Sequence, residues 1–170
     1  MNRTSAQALS VSRPVIQGLT VLNILYAVGI AVLLASSVIR ADWPWVPLGI
    51  DIKTAHPALP LALRSIMVIG LVGAAIVHTI LRRLLAIVDT VRGGDPFILD
   101  NALRLQAIAW CVLALEVLRF VVASIAAAVW TPDKVDGFSI ASWFAVLLLF
   151  VLAGVFAQGA RMRDDLEGTV

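Results

Sequence analysis

From Val15 to Ile39 the chain runs 25 residues without a charged side chain. A helix rises 1.5 Å per residue, so about 20 such residues cross a hydrocarbon core of ~30 Å. In water a helix that is apolar on every side has nowhere to put its surface. A secretory signal also opens with basic residues, here Arg3 and Arg13, and ends on small ones such as Ala35-Ser36-Ser37. Its apolar region, however, is usually about 7–15 residues. The stretch reads as an uncleaved first membrane span.

Three further runs repeat the pattern, at about 61–81, 105–129 and 138–160, giving spans of about 15–39, 61–81, 105–129 and 138–160. Composition agrees: 61% of residues are hydrophobic, 14% are charged, and the mean hydropathy is +0.97. Soluble domains sit near half apolar and a quarter charged. The expected fold is all-α, a four-helix transmembrane bundle in one integral membrane domain over residues 1–170. A net charge of +2 does not point to direct nucleic-acid binding, because the arginines gather where apolar runs end.

Orientation follows from those charges. Arg3, Arg13, Arg82, Arg83, Arg92, Arg104, Arg161 and Arg163 fall on one face of the layout. Arg40, Lys53, Arg64 and Lys134 fall on the other. The positive-inside rule then places both termini and the middle loop in the cytoplasm. Arg40 to Pro60 holds Pro44, Pro47, Pro57 and Pro60 with Trp43 and Trp45, which reads as an external loop lying on the membrane surface. Trp130-Thr131-Pro132-Asp133 marks the outer end of the third span. The tail from Arg161 is charged and is expected to fray.

The segment 82–104 between the second and third spans is an elbow. Leu84, Leu85, Ile87, Val88 and Val91 recur at helical spacing, with Arg83, Asp89 and Arg92 elsewhere on the wheel. The second helix should therefore run two to three turns beyond the membrane and stop at Gly93-Gly94, since glycine takes a left-handed cap cheaply. Asp95-Pro96 offers an N-cap with a proline in a first turn, and Asp100 offers a second capping position. Phe97, Ile98 and Leu103 are apolar in a loop that should be polar. They pack within the elbow, enter the interface or meet a partner. Arg83, Arg92, Asp95, Phe97, Asn101 and Arg104 are the candidate partner-binding residues.

Inside the spans the polar candidates are Glu116, Arg119, His78 and Asn23. Glu116 lies ~18 Å past Arg104 along the helix, near the midplane, and Arg119 is on the same face. Such a pair serves a proton or ion relay, as in a transporter or channel subunit. It also serves as a self-neutralising pair that fixes helix rotation, joined by Asn23 or Tyr26. No inverted repeat or broken span supports transport, so the structural role is preferred. His78, near the inner end of the second span, can change charge near neutral pH, but a lone histidine is weak evidence for a metal, and none is expected. His56, beside Asp51 in the external loop, has no ligand pattern either.

The single cysteine, Cys111, excludes an intrachain disulfide or a cysteine-pair redox mechanism. No phosphate-cradling glycine loop or nucleophile elbow is present, so neither a cofactor nor catalysis is expected. Small pairs at four-residue spacing, Gly70 with Ala74, Ala123 with Ala127 and Ala153 with Ala157, allow close helix approach. They leave homo-oligomerisation open.

Two resemblances bear on the elbow. Leu84 to Asp95 is similar to the first half of a HAMP signalling linker, but the chain turns back into lipid where that unit would continue. The whole chain resembles the bacterial membrane family catalogued as domain of unknown function 2975. Gly94, Asp95, Pro96, Phe97, Asn101, Leu103 and Arg104 occupy its Gly-Asp-Pro-Phe turn and helix start, with Asp100 where glutamate is more usual. The resemblance implies no activity, and its members are often encoded beside a small helix-turn-helix regulator. Alongside the lipid bilayer, a cytoplasmic regulator protein is thus the expected partner of a regulatory or scaffolding membrane protein.

Overall fold

The structure, a computed structural model, describes residues 3–40, 49, 57–129 and 140–167. The described residues form four helices: α1 (Arg3–Ile39), α2 (Leu59–Arg92), α3 (Leu99–Val129) and α4 (Ile140–Glu167). No strand occurs among the described residues. Trp43, Trp45, Pro44, Pro47, Asp51, Lys53 and His56, and the Trp130–Asp133 marker with Lys134, lie outside the described residues.

Each helix is long and apolar enough to cross a membrane. The exposed side chains show which solvent they require. Leu22, Leu25, Val28 and Val32 on α1 and Phe144, Leu147, Leu148 and Val151 on α4 are all exposed large hydrophobics. A chain in water rarely leaves contiguous apolar surface on this scale, whereas in lipid it costs nothing. Helical hydroxyls are satisfied locally in the way lipid demands. Thr20 donates to the Ile16 carbonyl at 2.8 Å, Ser65 to Leu61 at 2.9 Å and Ser124 to Phe120 at 2.9 Å.

Several helix ends differ from the sequence expectation. α1 starts at Arg3 and passes through Pro14, so the polar leader continues the first span's helix. α2 starts two residues before the apolar run, with Ala58 as cap and Pro60 in its first turn, where a missing N–H is harmless. At 34 residues α2 is ~51 Å long, well beyond a hydrocarbon core of ~30 Å. The expected two to three turns past Arg82 are present. The tail is helical to Glu167, and the expected fraying from Arg161 is corrected: Arg163 is tied to Asp95.

Close packing divides the chain into two units. One comprises Met1–Val21, Val77–Ala114 and Ser139–Val170; the other comprises Leu22–Ile76 and Leu115–Phe138. In the first, Ile87, Leu105, Ile108 and Ala153 are buried together, with Ile80, Val91, Val112, Leu149 and Phe156 packed around them. The helical stripe read from Ile87 and Val91 thus faces this core. Trp110 meets Phe150 edge-on at 5.3 Å, joining α3 to α4. In the second unit α1 approaches α2 at the Gly70–Ala74 pair. The Tyr26 hydroxyl lies 3.4 Å from where a Cβ on Gly70 would sit, and Asn23 Nδ2 donates to the Ala74 carbonyl at 3.0 Å. Near the other end of the same two helices, Arg64 donates to the Ser37 carbonyl.

Candidate functional site

The elbow begins where α2 stops, and its stop is a Schellman motif. Gly94 N–H donates to the Val91 carbonyl at 3.2 Å and Asp95 N–H to the Thr90 carbonyl at 3.2 Å. Gly94 carries the left-handed turn, with φ +92°, which a side chain would strain. Only six residues, 93–98, then separate α2 from α3. Ile98 caps α3, its carbonyl accepting from Asn101 N–H at 3.0 Å. The expected Asp95 cap is corrected: it lies too far ahead of Leu99, and its carboxylate accepts from Arg163 instead. Asp100 sits inside the first turn, where its charge favours the helix dipole and reaches Arg104 at 3.8 Å.

Asn101 is the centre of the elbow. It is 0% exposed, and every part of its amide is used. Nδ2 donates to the Thr90 hydroxyl at 2.8 Å and to the Pro96 carbonyl at 2.9 Å. Oδ1 accepts from Arg104 Nη1 at 2.8 Å. The Thr90 hydroxyl in turn donates to the Ile87 carbonyl at 2.8 Å. One side chain therefore ties the last turn of α2, the loop and the first turns of α3. A fully satisfied buried polar network of this kind holds one conformation.

The ends of α1 and α4 attach to the same place. Arg13 pairs with Asp89 at 3.4 Å, and Arg163 with Asp95. Phe97 lies against Phe156 with ring centroids 5.2 Å apart, and its ring passes so close to Gly159 that a Cβ there would come within 2.9 Å. Thr90, Arg163, Phe156 and Gly159 were not among the sequence candidates. Only the glycine in a span carried any signal of close approach.

The sequence candidates therefore separate into groups. Asn101 is enclosed and acts as an internal strut, without a face for a partner. Asp95 and Arg104 are committed to ion pairs or hydrogen bonds. Phe97 packs on α4 but keeps 45% of its surface exposed, and Arg92 is exposed. Leu99 and Leu103 beside them are 53% and 54% exposed. Arg83 and His78 line a cavity of about 380 Å³ with Thr79, Arg82, Ala86 and Arg104. Glu116 and Arg119 pair with each other at 3.9 Å in the second unit. Asn23 goes to the Ala74 backbone, so the expected joining of Asn23 to that pair is not what the geometry gives. Among the described residues no group of three His, Cys, Asp or Glu side chains could hold a metal.

With the turn and its asparagine in place, the comparison with known families becomes informative. The family described as "Protein of unknown function (DUF2975)" matches residues 5–170. The chain belongs to this family. The Gly94–Arg104 stretch that resembled the family is therefore the part of a family member that carries the latch. No curated protein and no solved structure gives a match.

Proposed function

We propose that this member of the family is a non-enzymatic, multi-pass protein of the bacterial inner membrane with a regulatory or scaffolding role. Both termini and the elbow face the cytoplasm, and the elbow engages a soluble partner there, such as a small helix-turn-helix regulator. The orientation rests on the arginines at the elbow end. One observation carries the reading: the fully enclosed Asn101 holds rigid a loop whose neighbours Phe97, Leu99 and Leu103 stay exposed. A preorganised surface loses little entropy when something docks on it. The contact surface on this reading is Arg92, Phe97, Leu99 and Leu103, with Asn101, Asp95 and Arg104 as its support.

A photo-crosslinking residue at Leu103 or Arg92, introduced singly in cells, tests the reading. A defined cytoplasmic protein should be captured from both positions and lost with Leu103→Ser or Arg92→Gln. Capture of lipid alone, at both positions, removes it. The transporter reading asks the Glu116–Arg119 pair to exchange its partner for a substrate, and the pair's closure at 3.9 Å favours a helix-fixing role instead.

A further inference from the structure

Immediately after the apolar run of α2 lies a cavity of about 380 Å³ walled by His78, Thr79, Arg82, Arg83, Ala86 and Arg104. We infer that this cavity is a binding site for a phosphate group, carried by an anionic lipid headgroup or by a small soluble phosphate. The inference needs α2 to cross the membrane but needs no protein on the elbow, so it stands or falls separately from the function proposed above.

Three arginines, Arg82, Arg83 and Arg104, are among the residues lining the cavity, a composition suited to a doubly or multiply oxygenated anion. A guanidinium without another partner among the described residues, as at Arg82 and Arg83, presents a planar fork that matches two phosphate oxygens, which an ammonium cannot do. Among the described residues neither Arg82 nor Arg83 has a carboxylate partner. Arg83 also has its Nε buried without a hydrogen-bond acceptor. A buried charged donor without an acceptor is costly. Arg104 is already oriented: Nη1 is held by Asn101 Oδ1, and Asp100, at 3.8 Å, neutralises it only in part. The latch of the elbow therefore fixes one wall of the cavity before any ligand arrives.

Position selects the ligand class. Leu61 to Leu81 precede Arg82 and contain a single charge, Arg64, near the far end. Arg82 and Arg83 thus sit at the level where headgroup phosphates lie, and basic pockets between helices at that level suit anionic headgroups. The volume lies within the roughly 300–1,000 Å³ typical of small-molecule sites.

The test uses the full chain in nanodiscs of phosphatidylcholine with or without phosphatidylglycerol, reading retained lipid by native mass spectrometry. Wild type should retain phosphatidylglycerol over phosphatidylcholine, and Arg82→Gln with Arg83→Gln should weaken retention at least tenfold. Arg40→Gln with Arg161→Gln, which removes the same charge outside the cavity, should retain it. In pure phosphatidylcholine discs, inorganic pyrophosphate is titrated as the soluble arm. Binding there with the same variant dependence assigns the site to a soluble phosphate; retention only of phosphatidylglycerol assigns it to lipid. No preference in either arm, or equal loss in both charge-matched variants, overturns the inference. Should the glutamine pair fail to insert, Arg82→Lys with Arg83→Lys is read in its place. It should lose at least threefold, and unchanged binding overturns the guanidinium assignment.

Discussion

Asn101 and Thr90 are joined side chain to side chain at 2.8 Å across the turn that reverses the chain between α2 and α3. The contact bridges a Schellman end on one helix and the first turn of the next. Because the asparagine is fully enclosed, the turn has no water to replace this bond if it is lost.

Replacing Asn101 therefore has a graded effect. Asn101→Ala removes both donors and the acceptor, stranding the Pro96 carbonyl and Arg104 Nη1. The expected cost is about 2–3 kcal/mol of stability, read as a lower unfolding temperature in detergent. Asn101→Asp keeps an acceptor for Arg104 and for the Thr90 hydroxyl, which lies 3.1 Å from Oδ1, but loses the Nδ2 donations to Thr90 and Pro96, and should fall in between. An alanine variant as stable as wild type removes the latch from the account.

Gly159 should tolerate nothing larger. A Cβ at this position comes within 2.9 Å of the Phe97 ring, which is itself held against Phe156. Gly159→Ala is expected to cost about 1–3 kcal/mol through overpacking. The loss should shrink in a Phe97→Leu background, where the ring edge is gone. Additive losses in the double variant would mean the glycine acts on something else.

Much of this architecture was legible because lipid imposes long uncharged runs, and Val15–Ile39 leaves little choice of structure. The α2 stop was legible for a related reason: Gly93-Gly94 ends an amphipathic stripe, and only Gly94 takes the left-handed turn. Asn101 was visible as a residue of interest but not as a latch. Its partner Thr90 comes within reach only once the turn between them has a defined geometry. The Arg13–Asp89 and Arg163–Asp95 pairs were out of reach for a stronger reason. They join residues far apart in the chain, and charge type alone does not say which acid an arginine chooses. The tail looked free to fray because its anchor on the elbow is a tertiary contact.

The Arg163–Asp95 pair makes a topological prediction more than an energetic one. With the two side chains 39% and 54% exposed, the pair itself contributes no more than about 1 kcal/mol. Its value is that it places the end of α4 on the elbow. In a Cys111→Ser background, Asp95→Cys with Arg163→Cys should crosslink efficiently on mild oxidation in membranes. Asp95→Cys with Ile140→Cys, taken from the opposite end of α4, should not. Failure of the first pair alone would dissociate α4 from the elbow.

Glu116 and Arg119 test whether the intramembrane charges work or merely balance. The glutamate side chain is only 14% exposed and the arginine 42%, at 3.9 Å from each other. Removing one partner leaves a charge in or beside hydrocarbon, a cost of about 2.5–3.5 kcal/mol on insertion scales. Glu116→Gln, which takes the carboxylate away from the arginine, should therefore lower the amount of folded protein recovered from membranes. The double variant Glu116→Gln with Arg119→Gln should recover most of the loss, since replacing both members of a poorly solvated pair is often close to neutral. A balancing pair predicts that this double variant also keeps every cellular phenotype of the wild type. If the double variant inserts normally and a phenotype is nevertheless lost, the two charges do more than balance each other, and the relay reading takes precedence.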